Sequence, residues 1–271
     1  MPEDKNAPAE PAAQVTPGTP AARGGREHPE LAGQPRKAAR VWQIDALRGT
    51  AMILMTIYHA LVDIRDFFAF ADLRYYEPPL LYIGRSSAIL FMLVSGVSCG
   101  FSKNNIKRGV RVFLCGLAVT LATFIFVRDL YIRFGILHFL GAAMALAGLV
   151  DILIKNEKAR LIFYCAASPA SLMLGWLFLR MRTEYPFLFA LGIITDSFRS
   201  YDFYPIFPWI GFFFTGRAAG FWVFKHREKL AAMRNPPFAP ALCALGKVSL
   251  IYYLLHQPAL LAVMYVIGIF I

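Results

Sequence analysis

The residues most suited to chemistry in this sequence lie in one long apolar segment, residues 41–67. Asp45, Arg48, His59 and Asp63 recur at a spacing that places them on one face of an α-helix, because successive residues turn by about 100°. An ionised side chain facing lipid costs several kcal/mol. This face is therefore predicted to contact other helices or a water-filled cavity.

His59 and Asp63 are separated by one helical turn. A carboxylate at that distance orients an imidazole and raises its basicity, as a general base or a nucleophile requires. The pattern predicts a catalytic role for this pair. The alternative is a structural pair that holds the helix in its bundle.

Two further histidines and one carboxylate share the predicted depth of His59. His138 and His256 lie toward the corresponding ends of their apolar segments, and Asp202 precedes another such segment. Any one of these histidines could simply be packed and bonded to a backbone carbonyl. Their grouping at one depth predicts an acid–base site, with Asp202 as a second candidate carboxylate.

Basic residues gather at the opposite ends of the apolar segments. Arg48, Lys107, Arg108 and Arg111 are the candidates there for binding a phosphorylated ligand, since arginine and lysine clusters suit phosphate. The alternative is that these side chains set the membrane topology and contact anionic lipid headgroups.

Composition excludes a soluble globular protein. The chain is 58% hydrophobic, 15% aromatic and grouped into apolar blocks, with a mean hydropathy of +0.52. These features predict an all-α, polytopic transmembrane helix bundle of about seven spans. The predicted spans are 46–66, 80–101, 109–127, 134–153, 161–179, 205–224 and 242–264.

Residues 1–40 differ from the rest of the chain. They are rich in proline and alanine, and they lack the apolar core of a signal peptide. We expect a disordered cytoplasmic tail, followed by a transmembrane domain over residues 41–271. The basic and acidic residues of the tail nearly balance, so almost all of the net charge of +11 comes from the membrane loops. This distribution argues against nucleic-acid binding.

Loop charge predicts the orientation. The loops 102–111, 151–160 and 225–241 hold eleven Lys and Arg against three acids, and the alternate loops hold seven against eight. The positive-inside rule then places the N-terminus in the cytoplasm and the C-terminus outside. The segment 186–194 is too short to span, so we expect an interfacial or re-entrant piece within an outer loop.

Cysteines indicate neither a disulfide nor a metal site. All four, Cys99, Cys115, Cys165 and Cys243, fall in apolar segments, where they are expected to pack as small apolar side chains. Their spacing to histidine is not of the metal-binding kind, so we expect no metal.

Five stretches of the sequence carry a family resemblance: IDALRGTAMILMTIYH, AILFMLVSGVS, FGILHFLG, DFYPIFPWIGFFFTG and LGKVSLIYYLLHQP. In this order they resemble the heparan-α-glucosaminide N-acetyltransferase-like catalytic domain family, which consists mostly of bacterial membrane proteins. The resemblance extends from Trp42 to the C-terminus. Asp45 and Arg48 match the family's D-x-x-R-G block, and His138 matches its G-I-L-H block. Asp202 with Pro205 matches D-x-x-P, and His256 matches L-H-Q-P.

The resemblance implies a transmembrane acyltransferase of the bacterial inner membrane. Such an enzyme would take an acetyl group from cytoplasmic acetyl-CoA and place it on a sugar amine or hydroxyl of an external glycan or glycolipid. The basic residues would bind CoA. His59 would act as base or nucleophile, and His138 or His256 would supply a second proton-transfer or oxyanion-donor role.

Other readings stay open at this point. Animal members of the family bear a proposed acetyl-accepting histidine in the outer loop after the first span, and loop 63–79 has none. The chain could use a different base or transfer the acyl group directly. A transporter or flippase with a His/Asp proton relay is the main rival, and a non-catalytic membrane partner of a glycan or lipid pathway is the third reading.

The loop charges lead to a topology prediction. Reporter fusions at Lys107, Lys158 and Lys229 should report a cytoplasmic location, and fusions at Arg74 and Arg182 an external one, because basic loops stay on the cytoplasmic side. Enzymatic reporters active on only one side of the membrane measure this directly. A cytoplasmic signal at Arg74 would reverse the orientation.

Overall fold

The protein is described here by a computed structural model, which covers residues 40–68 and 77–270. The described part is helical, as predicted, and contains no strand. The predicted tail, apart from Arg40, lies outside the described residues. The helices are α1 (Trp42–Phe68), α2 (Leu80–Cys99), α3 (Asn105–Phe126), α4 (Ile136–Leu153), α5 (Glu157–Phe178), α6 (Ile206–Lys225), α7 (Arg227–Ala232), α8 (Ala239–Lys247) and α9 (Ser249–Phe270).

Short polar connections end one helix and begin the next. Asn104 caps α3 by accepting a hydrogen bond from the Lys107 amide, and Asn156 caps α5 through the Ala159 amide. A side-chain oxygen at this position satisfies an amide that has no partner within the helix. These caps fix two of the predicted basic loops as tight turns.

Six helices in the described ranges are long and apolar enough to cross a membrane: α1 to α5, and α9. The predicted span 205–224 corresponds to α6, which does not meet the same hydropathy criterion. Nevertheless α6 runs along α2 in the same direction, with Gly96 against the carbonyl of Phe213 and Gly220 against Val97. It therefore passes through the bundle as a seventh helix.

The last predicted span, 242–264, is not one helix. Val248 separates α8 from α9, so that α8 packs against the start of α1 and α9 continues beside the rest of it. Gly246 and Gly49 allow the first of these contacts, because a side chain at either would meet backbone of the other helix. The segment 186–194 contains a short 3-10 helix, Pro186–Leu191, that ends at Gly192 in the left-handed region, with φ 110°.

The core lies around α4. Phe139 and Leu140 of α4 are fully buried with Met92, Tyr164 and Phe213 of three other helices. In contrast α3 and α9 expose most of their apolar side chains, as expected for helices at the lipid-facing edge of a bundle. The centre of the bundle is thus α4 with α2 and α6, and α1 joins it through α2.

Candidate functional site

The polar face of α1 contacts other helices along its whole length, as predicted. Near its beginning, Arg48 donates to Asp45 at 3.3 Å, to Ser98 of α2 at 2.7 Å and to the Gly246 carbonyl of α8 at 3.4 Å. Farther along, this face reaches α9 through Thr56 and Asp63.

His59 and His256 meet between α1 and α9. Their ring centroids are 5.2 Å apart and the rings are inclined by 57°. Tyr58 lies edge-on to His59, and Tyr252 stacks nearly parallel to His256. The structure therefore brings together two of the three histidines that the sequence singles out.

Hydrogen bonds fix the tautomer of His256. Its Nδ1 lies 2.6 Å from the carbonyl oxygen of Tyr253, which only accepts, so Nδ1 carries the proton. In the neutral imidazole the lone pair is then on Nε2, which is buried and without a hydrogen-bond partner within the described residues. A buried, unpaired acceptor nitrogen next to a second imidazole is an arrangement suited to a general base.

Asp63 does not orient His59 in the way that the spacing suggests. Both of its carboxylate oxygens accept from Nε2 of Gln257, at 2.9 and 3.0 Å, and no hydrogen bond joins it to His59 in the part of the chain described. Gln257 comes within reach because α9 lies beside α1, which the sequence spacing within α1 does not reveal. The remaining amide oxygen of Gln257 is buried and unpaired there.

His138 lies apart from the other two histidines, between α3 and α4. Thr120 uses its only proton on the Ile132 carbonyl at 2.7 Å, so His138 Nε2 donates to the threonine at 3.2 Å. Phe134 stacks on the imidazole ring and Phe113 packs edge-on against it. Nδ1 of His138 is buried and without a hydrogen-bond partner among the described residues, as Nε2 of His256 is. His138 differs from His256 in that aromatic rings, and not a second imidazole, lie against it there. A catalytic role for His138 stays a prediction.

Asp202 caps a helix. It lies before α6, and its Oδ2 accepts from the amide of Ile136, the first residue of α4, at 3.1 Å. Burial raises the pKa of Asp202 to about 6, although this hydrogen bond acts in the opposite direction. Burial, and Asp202 after it, raise the pKa of the neighbouring Tyr204 hydroxyl above its usual range.

Two arginines converge at the opposite end of the bundle. The guanidinium of Arg48 is nearly buried. It is repelled by the charge of Arg108, a half-buried residue of α3. Asp45 is shared between Arg48 and Arg40, and the described residues give Arg108 no carboxylate partner. Lys107 and Arg111 are exposed. Of the four predicted phosphate ligands, Arg48 and Arg108 are thus the two that are at least partly buried and whose charges interact.

A second ion network at this end involves residues that the sequence analysis did not connect. Arg217 of α6 is buried and donates to both oxygens of Asp151, at 3.0 and 3.3 Å. Arg160 and Asn105 donate to the same carboxylate. An arginine inside an apolar segment signals that an acidic partner exists, but only the packing of α4 against α6 identifies it.

Comparison with models of known protein families assigns this chain to a family. The model described as heparan-alpha-glucosaminide N-acetyltransferase, catalytic, matches residues 40–258. The chain belongs to this family. The predicted resemblance is thereby confirmed, and membership in the heparan-alpha-glucosaminide N-acetyltransferase family indicates a membrane-embedded acetyltransferase. No curated protein and no solved structure matches the chain.

The matched region contains both ends of the bundle described above, including the His59–His256 pair and the Arg48–Arg108 pair. It ends at Pro258, one residue after Gln257. Among the described residues, no group of histidine, cysteine and carboxylate side chains is arranged to hold a metal ion.

Asp202 leads to a prediction about pH. Its pKa is raised from 3.8 to about 6 in the folded protein, so the folded state binds this proton more tightly than the unfolded state. The stability contributed by neutral Asp202 is complete below about pH 3.8 and is lost as the pH rises through about 6. Asp202→Asn, which still accepts from Ile136, should stabilise the protein at pH 8 by up to about 3 kcal/mol.

Thermal unfolding in detergent between pH 5 and pH 8 measures this effect. The advantage of Asp202→Asn over wild type should shrink as the pH falls. Asp196→Asn is the matched control in the same loop, because the Asp196 side chain is 93% exposed. A variant that is no more stable than wild type at pH 8 would contradict the prediction.

Proposed function

We propose that this protein transfers an acetyl group from acetyl-CoA to an amine of a glycan or glycolipid acceptor at the His59–His256 pair. The observation that carries this proposal is the unpaired, buried Nε2 of His256 beside His59, at the meeting of α1 and α9. Membership in an acetyltransferase family supports the reaction type.

The unpaired groups at the pair favour an amine as acceptor. His256 Nε2 and the amide oxygen of Gln257 both lack a donor, and they belong to neighbouring residues of α9. A neutral primary amine offers two N–H donors, whereas a hydroxyl group offers one. An amine would therefore offer one donor for each of the two buried acceptors, each of which otherwise costs about 1–3 kcal/mol.

In the proposed reaction the amine nitrogen attacks the thioester carbonyl while His256 Nε2 accepts the proton that the nitrogen loses. The carbonyl oxygen becomes an oxyanion, to which an N–H of His59 donates. The C–S bond then breaks, and the leaving thiolate takes the proton back from His256. The products are an acetamide and free CoA, and His256 returns to its neutral form.

The acetyl-CoA molecule would lie along α1. Arg48 and His59 are 11 residues apart in one helix, which corresponds to about 16 Å at 1.5 Å per residue. Acetyl-CoA has its phosphates and its thioester at opposite ends of a long flexible arm. Its phosphates would contact Arg48 and Arg108, and its acetyl group would reach the histidine pair. With the predicted orientation, the acetyl group crosses an inner membrane toward an external acceptor.

Exchange of each histidine tests its role. His256→Gln should lower the rate of acetyl transfer by about 10²- to 10⁴-fold, since glutamine cannot take up the proton. His59→Ala should lower the rate by about 10²- to 10³-fold, because it removes the N–H that donates to the oxyanion. The measurement uses radiolabelled acetyl-CoA and glucosamine as the probe amine, with the protein in proteoliposomes. His226→Gln, at the end of α6, is the control and should retain wild-type turnover.

The same labelled donor without any amine tests the two-step route. If His59 carried the acetyl group, wild-type protein would retain label and His59→Gln would not. Direct transfer leaves both proteins unlabelled. Wild-type protein that transfers no label to any amine or glycan, but moves protons across the membrane, would favour the relay of a transporter and overturn the proposal.

Exchange of basic residues tests the donor site. Arg108→Gln should raise the KM for acetyl-CoA by about 10-fold or more, because a charge-assisted bond to phosphate contributes about 1.5–3 kcal/mol. Exposed Lys107 and Arg111 should have smaller effects when changed to Gln. Lys229→Gln, in exposed α7, is the matched control. An unchanged KM in Arg108→Gln would assign this residue to topology alone.

A further inference from the structure

Two polar bridges between α1 and α9 lie on either side of the histidine pair. On one side the hydroxyl oxygens of Thr56 and Tyr252 are 2.6 Å apart. Thr56 donates its proton to the Met52 carbonyl at 2.9 Å, so the tyrosine hydroxyl is the donor in this bridge. Thr56 precedes His59 by three residues, and Tyr252 precedes His256 by four.

On the other side Gln257 Nε2 donates to both oxygens of Asp63. Asp63 follows His59 by four residues, or about one turn, and its side chain is buried. A hydrogen bond to a buried carboxylate is among the stronger kinds. Three contacts therefore follow one seam between two helices that run in the same direction: 56 with 252, 59 with 256 and 63 with 257.

Among the described residues the main neighbour of α9 is α1, and Tyr253 also packs against the core cluster. Most of the apolar residues of α9 are exposed, including Ile251, Leu255 and Val263. Apolar contact with lipid and apolar contact with α1 are nearly equivalent, so they define the register of α9 only weakly. A slip or rotation along the seam would leave the Asp63 carboxylate buried without its partner, which is costly. The two bridges therefore define the register.

We infer that the Asp63–Gln257 and Thr56–Tyr252 bridges are positioning contacts that hold His59 and His256 in their working geometry. In this arrangement Asp63 acts through Gln257, not as a charge partner of His59. The inference rests on the proposed function for the role of the histidines. Its own content is the interhelical register, since a displacement of about 1 Å at reacting groups costs on the order of 10²-fold in rate.

An exchange of the two side chains tests this inference. Gln257→Glu places two carboxylates face to face and should lower kcat by about 10²-fold. Adding Asp63→Asn restores one amide and one carboxylate in reversed order, and should return kcat to within about 10-fold of wild type. The KM for acetyl-CoA should stay at its wild-type value in both, because Arg48 and Arg108 lie at the other end of α1.

Asp63 variants separate a bridge from a charge effect. Asp63→Asn keeps an oxygen that accepts from Gln257 and should lose about 10-fold or less, with an unchanged pH–rate profile. Asp63→Ala leaves Gln257 unpaired and should lose about 10²-fold. Tyr252→Phe removes the donor of the other bridge without changing the ring, and should lower kcat with an unchanged KM. Equal losses in Asp63→Asn and Asp63→Ala would overturn the inference.

Thermal unfolding of each variant shows which proteins are folded, and Gln43→Glu is the matched control. Gln43 also bridges α1 to another element, through the Leu230 carbonyl at 2.8 Å, but at the far end of the helix. The Gln43→Glu variant should unfold at a lower temperature and keep the wild-type kcat. If wild-type protein is active, a double variant that folds but does not recover kcat would overturn the inference. A wild-type protein without transfer activity would instead contradict the proposed function.

Discussion

The structure depends on one constraint: polar groups within an apolar helix must find partners on other helices. The polar face of α1 shows how this is met, with Arg48 bonded to Ser98 of α2 and to the Gly246 carbonyl of α8, and Asp63 bonded to Gln257 of α9. The single polar face of α1 is therefore bonded to α2, α8 and α9 around it.

The same constraint organises the other half of the bundle. Asp151 receives hydrogen bonds from Arg217, Arg160 and Asn105, which belong to α6, α5 and α3. Arg217 is also enclosed by the rings of Tyr164 and Phe221. Loss of Asp151 would leave the charge of Arg217 buried and uncompensated, which typically costs about 3–5 kcal/mol. This carboxylate thus joins four helices that otherwise share mostly apolar contacts.

The polar side chains at the two ends of the bundle differ in kind. Cationic side chains collect where α1 and α3 begin, and imidazole and phenol groups collect where α1 ends beside α9. A reaction that binds phosphates and transfers an acyl group uses both kinds of surface. Under the proposed function, α1 is the common element, since it carries both Arg48 and His59 on one face.

The sequence by itself determined the helical class, the membrane location and the family, because long apolar blocks and ordered motifs are local properties of a chain. It also determined that the face of α1 bearing Asp45 and His59 is turned toward other helices, since helical periodicity requires it. The predicted span 205–224 likewise corresponds to a helix, α6.

Only the tertiary structure decided which polar groups meet. Three histidines at one predicted depth looked alike, yet packing places His59 with His256 and encloses His138 between aromatic rings. Asp63 looked like the partner of His59, but α9 supplies Gln257 instead. Depth and spacing describe one helix at a time, whereas the rotation and neighbours of each helix follow from contacts between residues far apart in sequence.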